Sequence, residues 1–189
     1  MTSTFTEERL ELAIIELLVE QGYPHLKGEE ITRENNEVLI KEDLHSFLSN
    51  QYSSENITSS EIDRVINELE SLSAADPYES NKQIMKKVSD GVFLRREDET
   101  LQDIYIFLID YSVADNNVYQ IVNQMEIVGS ERRIPDGILY INGLPLVVFE
   151  FKSAIREEEA TISDAYIQLT TRYKRDIPEL FKYNALCVI

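Results

Sequence analysis

Apolar positions in the first third of the chain recur at helical spacing. In residues 5–22, FTEERLELAIIELLVEQG, the residues Leu10, Ile14, Leu17 and Leu18 keep a helical period and Gly22 supplies a natural stop. Thr6 followed by Glu7 and Glu8 makes the acid-rich start that a helix N-terminus favours. Residues 42–51 and 60–73 predict two more helices, the second opened by Ser59 or Ser60 with Glu61 nearby. Between them NQYSSENITS, residues 50–59, reads as loop, and Gly, Asn and Asp turn signals recur near 89–90 and 115–117.

After about residue 100 the period shortens to that of strands. LQDIYIFLIDYS and NNVYQIVNQMEIVG are rich in Ile, Val, Tyr and Phe. Ile138–Ile141 predicts one strand, Asn142-Gly143 a two-residue hairpin turn, and Leu146–Lys152 the return strand. Glu157–Tyr173 lacks Pro and Gly and predicts a helix, which Pro178 follows as a break. The final ALCVI predicts another strand in which the chain stops, as expected of a piece of a longer protein. Together these elements predict an α/β fold, a central mixed β-sheet flanked by helices, over residues 1–189 as one domain. Its 189 residues suit one sizeable domain, given about 150 residues per domain.

Charge refines the picture. With 18 Lys and Arg against 35 Asp and Glu the net charge is −17, which argues against a protein that coats nucleic acid through a broad basic face. The load is uneven: residues 1–130 carry −16 and residues 131–189 only −1, so a site for an anionic partner is expected late in the chain. An apolar share of 43% excludes wholly disordered classes. One cysteine, Cys187, excludes an internal disulfide, and His25 and His45 lack neighbours at zinc-ligand spacing. No secretory signal or window of ~18 apolar residues is present, so a cytoplasmic location away from membranes is expected.

The return strand holds the chemistry. Pro145–Phe149 is a continuous apolar run of the kind buried on both faces of a sheet, and Glu150, Phe151 and Lys152 are placed at its end. Strand alternation puts Glu150 and Lys152 on one face and Phe151 on the other. Folding over Asn142-Gly143 brings Asp136, thirteen residues before Glu150, to the same end of the sheet. A buried carboxylate costs several kcal/mol unless a cation compensates it. Two acids and a lysine at one sheet edge suit divalent-metal phosphodiester hydrolysis, Mg²⁺ taking oxygen ligands and the lysine acting on the attacking water or on phosphoryl charge. A Glu-x-Lys pair alone is more often only a cross-strand ion pair at a sheet edge.

The string Arg133-Ile-Pro-Asp136, thirteen residues, then Glu150-Phe-Lys152 resembles the PD-(D/E)xK nuclease signature. More narrowly, RIPDGILYINGLPLVVFEFKSA is similar to the N-terminal nuclease domain of the type I restriction enzyme R subunit, the HsdR family. The opening TEERLELAIIELLVEQGY, the strand NNVYQIVNQMEIVG and the closing RYKRDIPELFKYNALCVI agree with it, while residues 27–100 agree least. The resemblance implies that Asp136, Glu150 and the main-chain carbonyl of Phe151 hold metal, that Lys152 is the catalytic lysine, and that Glu11 is an acid able to assist at the metal. Glu11 is also one of five glutamates on its helix, where a solvated acid is unremarkable. The family carries a Gln-x-x-x-Tyr pair after the signature, but here Gln168 and Tyr173 are separated by one residue more. At ~100° per residue such positions diverge on a regular helix, so either the helix is irregular or the two are not equivalent. Arg172, Lys174 and Arg175 beyond them suit DNA phosphates or, equally, a solvated helix end; Arg132 and Arg133 invite the same two readings.

The implied function is Mg²⁺-dependent cleavage of double-stranded DNA within a restriction complex. Its implied partners are the motor domains of the same subunit and the methyltransferase and specificity subunits. The chain has no G-x-x-x-x-G-K-[ST] string, so ATP would act only through motor domains outside it. Two alternatives remain: a non-catalytic docking module of nuclease fold, and a stand-alone nuclease of the same superfamily. The first is disfavoured by the joint presence of Asp136, Glu150 and Lys152.

Overall fold

Hydrogen-bonded ladders join five strands into the sheet that forms the centre of the molecule. The computed structural model describes residues 7–152 and 162–189. The sheet consists of β1 (His25–Lys27), β4 (Tyr119–Asn123), β7 (Gly137–Ile141), β8 (Leu144–Phe149) and β9 (Leu186–Val188), in that spatial order. The outer pairs β1–β4 and β8–β9 are parallel and the inner pairs antiparallel, giving a mixed sheet. Short paired segments lie outside it: β2 (Val92–Leu94) with β3 (Ile104–Ile106), and β5 (Ile127–Val128) with β6 (Arg132–Arg133).

The Asn142-Gly143 turn is a hairpin, with both residues at positive φ (50° and 76°) as the sequence requires. It is not a solvated turn. Asn142 is fully buried, accepts the Val118 N–H and donates to the Leu108 carbonyl and to Asn117 Oδ1. A Cβ on Gly143 would stand 2.2 Å from the Ile40 carbonyl, so only glycine fits there. The far end of the hairpin is thereby fixed against α2 (Lys41–Gln51), and its open end carries the acids.

Alternation along the strands feeds two cores. Val122, Ile138, Tyr140, Leu146 and Val148 face α2, α3 (Ser59–Glu70), α4 (Pro77–Asp90) and α7 (Pro178–Tyr183). Ile121, Phe149 and Phe151 face α1 (Glu7–Glu20), which contributes Ile15 and, less buried, Leu10, Ile14 and Leu18. Five strands between two helical layers meet the expected architecture.

Several boundaries differ from expectation. α3 is capped one residue earlier than predicted, by Thr58, whose hydroxyl accepts the Glu61 N–H at 3.1 Å while Glu61 returns a bond to the Thr58 N–H at 3.0 Å. Residues 107–112 leave the sheet, because Asp110 captures the N–H groups of Ser112 and Val113 and replaces a ladder with a local turn. α4 was not anticipated, although Asp76 caps it, Pro77 opens it and Gly91 ends it at φ +85°. The expected helix after the signature is seen from Ile162: α5 (Ile162–Ile167), a π-helical turn (Gln168–Tyr173) and α6 (Lys174–Asp176). Its expected start at 157–161, and the Thr6 start of α1, lie outside the described residues.

Candidate metal and nuclease site

The open end of the β7–β8 hairpin gathers the predicted acids. Asp136 precedes β7 and Glu150 follows β8, whose last residue Phe149 pairs with Gly137. Asp136 Oδ2 accepts the Phe151 N–H at 2.5 Å, tying the two strand ends together. Glu150 is 1% exposed, with its oxygens divided between two donors: Lys152 Nζ at 2.7 Å from Oε1 and the Tyr173 hydroxyl at 2.9 Å from Oε2. Lys152 Nζ also donates to the Phe151 carbonyl at 2.9 Å.

Electrostatics mark a place short of positive charge. Burial, then the neighbouring Glu150 carboxylate, push the Asp136 carboxyl up to about 7; the Phe151 N–H and Lys152 pull the other way without prevailing. Burial works against the Lys152 ammonium, yet its bond to Glu150 and the charges of Glu150 and Asp136 outweigh it and hold its pKa above the ordinary lysine value. Burial and Glu150 also push the Tyr173 phenol up, so it stays a hydrogen-bond donor.

Gln168 and Tyr173 do meet, through the irregularity that their spacing demanded. In a π turn hydrogen bonds span five residues instead of four, so positions five apart stack. Gln168 Nε2 donates to the Tyr173 hydroxyl at 2.8 Å, and that hydroxyl reaches Glu150. The pair therefore buttresses the buried acid from behind.

The basic cluster is divided. Arg175 Nε reaches Asp176 Oδ1 at 2.6 Å, and Arg133 Nε reaches Asp176 Oδ2 at 2.7 Å, on a carboxylate with no solvent exposure. Those two guanidiniums hold Asp176 down to about 2, Arg175 contributing most and burial opposing. Arg132 pairs with Glu126. Arg172 and Lys174 are exposed, Lys174 lying 5.9 Å from the centre of the Phe181 ring. Asp176 was not anticipated as a site-shaping residue; it latches the Arg133 segment, three residues before Asp136, to the helix that carries Tyr173. Ser130 N–H donates to its carbonyl at 2.9 Å, and a Cβ on Gly129 would stand 2.1 Å from that oxygen.

Glu11 projects from α1 to Asn123 on β4, whose Nδ2 donates to Glu11 Oε1 at 2.8 Å. Its charge is among those raising Asp136. His25 joins this group through Asn123 Oδ1 at 2.8 Å, a contact that no motif spacing announced. Among the described residues no three His, Cys, Asp or Glu side chains stand close enough together to share one ion, so the side-chain oxygens at the hairpin end are those of Asp136 and Glu150.

A mixed sheet with two acids and a lysine at the open end of its central hairpin defines the class expected from the sequence, a restriction-endonuclease-like core. The chain belongs to the family described as the type I restriction enzyme R protein N terminus, whose model matches residues 4–189. It is 38% identical over 133 residues to the type I restriction enzyme HindI endonuclease subunit of Haemophilus influenzae, covering 69% of this chain and 12% of that protein. It is 30% identical over 192 residues to the putative MjaIXP endonuclease subunit of Methanocaldococcus jannaschii, covering 95% of this chain and 18% of that protein. The type I SsaAORF53P endonuclease subunit of Staphylococcus saprophyticus is 27% identical over 188 residues, with 97% and 18% covered. The chain thus spans less than a fifth of the length of these relatives. Among the described residues no helix is long and apolar enough to cross a membrane.

Proposed function

We propose that this chain is the Mg²⁺-dependent endonuclease module of a type I restriction R subunit and hydrolyses phosphodiester bonds of duplex DNA. The supporting observation is the Asp136–Glu150 pair: two crowded carboxylates, one nearly inaccessible, with Asp136 pushed up to about 7 for want of a compensating cation. The donors there are all hard oxygens, namely Asp136, Glu150 and the Phe151 carbonyl, a set that suits Mg²⁺. Bound there, Mg²⁺ would supply an acidified water and offset charge on the scissile phosphate.

The chain's own groups supply the rest. Glu150 is aimed by Lys152 on one oxygen and Tyr173 on the other. Lys152 keeps its proton, which supports a role as a fixed cation facing phosphoryl charge rather than as the base. Among the described basic residues near the site, Arg172 and Lys174 stay exposed for the DNA backbone, with Arg133 and Arg175 committed to Asp176 and Arg132 paired with Glu126. Motor domains of the same subunit would bring ATP-driven movement, and methyltransferase and specificity subunits would bring the target. The strongly acidic 1–130 segment would be surface against those partners, within the cytoplasm.

Calorimetric titration with Mg²⁺ or Mn²⁺, alone and with a short duplex, tests this reading. Wild type should bind, Asp136→Ala and Glu150→Ala should not, and Lys152→Ala should bind metal yet leave DNA uncut. Absence of binding by wild type even with duplex present would sink it in favour of a docking module.

A further inference from the structure

Glu11 stands near the paired acids without joining them. The residue it meets lies one position past the Val122–Ile138 pair, beside the start of β7 that Asp136 precedes, yet among the described residues no third acid is close enough to share an ion with Asp136 and Glu150. The side chain holding it back belongs to Asn123, the last residue of β4, which is 6% exposed and in register with Lys27 of β1. Asn123 Nδ2 donates to Glu11 Oε1 at 2.8 Å, and Gln124 Nε2 lies 3.5 Å from the same oxygen.

Hydrogen-bond chemistry fixes which way that amide points. A carboxylate only accepts, so Asn123 must turn Nδ2 towards Glu11 and leave Oδ1 on the other side. His25 Nε2 lies 2.8 Å from Oδ1, which requires the imidazole to carry a proton on Nε2. The flipped amide would set oxygen against oxygen at Glu11. The carboxylate thus excludes the wrong orientation, and His25, as its Nε2–H tautomer, donates to the oxygen left over.

We infer that Asn123, anchored by its hydrogen bond with His25, is a positioning residue that keeps the Glu11 carboxylate one hydrogen bond behind Asp136 and Glu150, where it would accept from water on a divalent cation instead of binding the cation. Two carboxylates already balance a doubly charged ion, and Mg²⁺ gives up its waters reluctantly, so a third acid gains more by gripping that water. The inference rests on the reading of Asp136 and Glu150 as the metal-holding acids.

A double-mutant cycle on Mn²⁺ affinity, read by calorimetry, tests it. Partners one layer behind metal ligands typically change affinity by ~10–100-fold, and the low end is expected for Asn123→Ala and Glu11→Ala, with the number of ions bound unchanged. Because Asn123 acts through Glu11, Asn123→Ala should add nothing in a Glu11→Ala background. His25→Phe, on a strand at the sheet edge, should weaken binding several-fold and carries the test if Asn123→Ala fails to fold. Full additivity of Asn123→Ala and Glu11→Ala would show a merely structural Asn123 and overturn the inference. Wild-type affinity in both Asn123→Ala and His25→Phe, or fewer ions bound by Glu11→Ala, would overturn it as well. Each of those results leaves the functional reading standing, whereas failure of wild type to bind Mn²⁺ with or without duplex ends both.

Discussion

Replacing Asp136 with asparagine should stabilise the metal-free protein above neutral pH. The Asp136 carboxyl moves from 3.8 to about 7 on folding, mainly through burial and then through Glu150. A raised acid means that the fold disfavours its ionised form. Stability is therefore whole below the unfolded value, lost as the pH rises towards the folded value, and reduced by a constant amount above it. The displacement is worth at most about 4 kcal/mol at ~1.4 kcal/mol per pH unit, and partial solvent access to Asp136 reduces this to about 2 kcal/mol. Asparagine removes the charge but keeps an oxygen for the Phe151 N–H, so the gain is not offset by a lost hydrogen bond. In a chain of this size 2 kcal/mol corresponds to roughly 4–8 °C in melting temperature. Thermal melts of both proteins in chelator should show that gain at pH 8.5 and roughly a quarter of it or less at pH 4. Adding Mg²⁺ at pH 8.5 should raise wild type alone and reverse the order. An asparagine variant that melts lower than wild type at pH 8.5 in chelator, or a gap indifferent to pH, would refute the reasoning.

Three other perturbations follow from the packing. Arg96→Met strands Glu61, which is 1% exposed and held down to about 2, burial opposing and the Arg96 bond prevailing; urea titration should show a loss of about 3–5 kcal/mol, most of it recovered by adding Glu61→Met. Gly129→Ala drives a methyl group into the Asp176 carbonyl and should cost about 1–3 kcal/mol, with weaker metal binding as the Arg133 segment shifts; an unchanged melt would mean that the latch is loose. Deleting Thr171, exposed within the π turn, should leave Gln168 and Tyr173 stacked on an ordinary α-helix and change stability by less than about 1 kcal/mol, whereas a loss of several kcal/mol would show that the turn itself is required.

The heart of the fold was legible because its signals are local. A continuous apolar run, an Asn-Gly turn and an acid at each strand end specify a hairpin and the end at which chemistry gathers. β1 was not legible: its three residues become a strand only by pairing with β4, almost a hundred residues away. α4 left a faint apolar stripe, since its buried positions are Ser80, Ile84 and Val88, and its Asp76-Pro77 start and Gly91 stop were the readable signs. In residues 107–112 composition favoured a strand, but one side chain, Asp110, outbid the ladder for nearby N–H groups. At the site, spacing found Asp136, Glu150 and Lys152. Asn123, His25 and Asp176 gave no signal, because their roles depend on which partner tertiary folding sets beside them. Arg172, Lys174 and Arg175 likewise read as one cluster, and Arg133 as a separate candidate, until Asp176 claimed Arg175 and Arg133.

The π turn also bears on how related sequences should be compared. An extra residue in a regular helix would rotate everything after it by about 100°. Confined to one widened turn, the extra residue leaves the flanking helical segments in phase and keeps Gln168 on Tyr173. A search pattern with a fixed gap between those two residues would pass over this chain, and an alignment without a gap there would match Tyr173 to the wrong neighbour. The quantity to compare between related chains is the tyrosine hydroxyl on the buried acid, which here is kept with four residues between Gln168 and Tyr173.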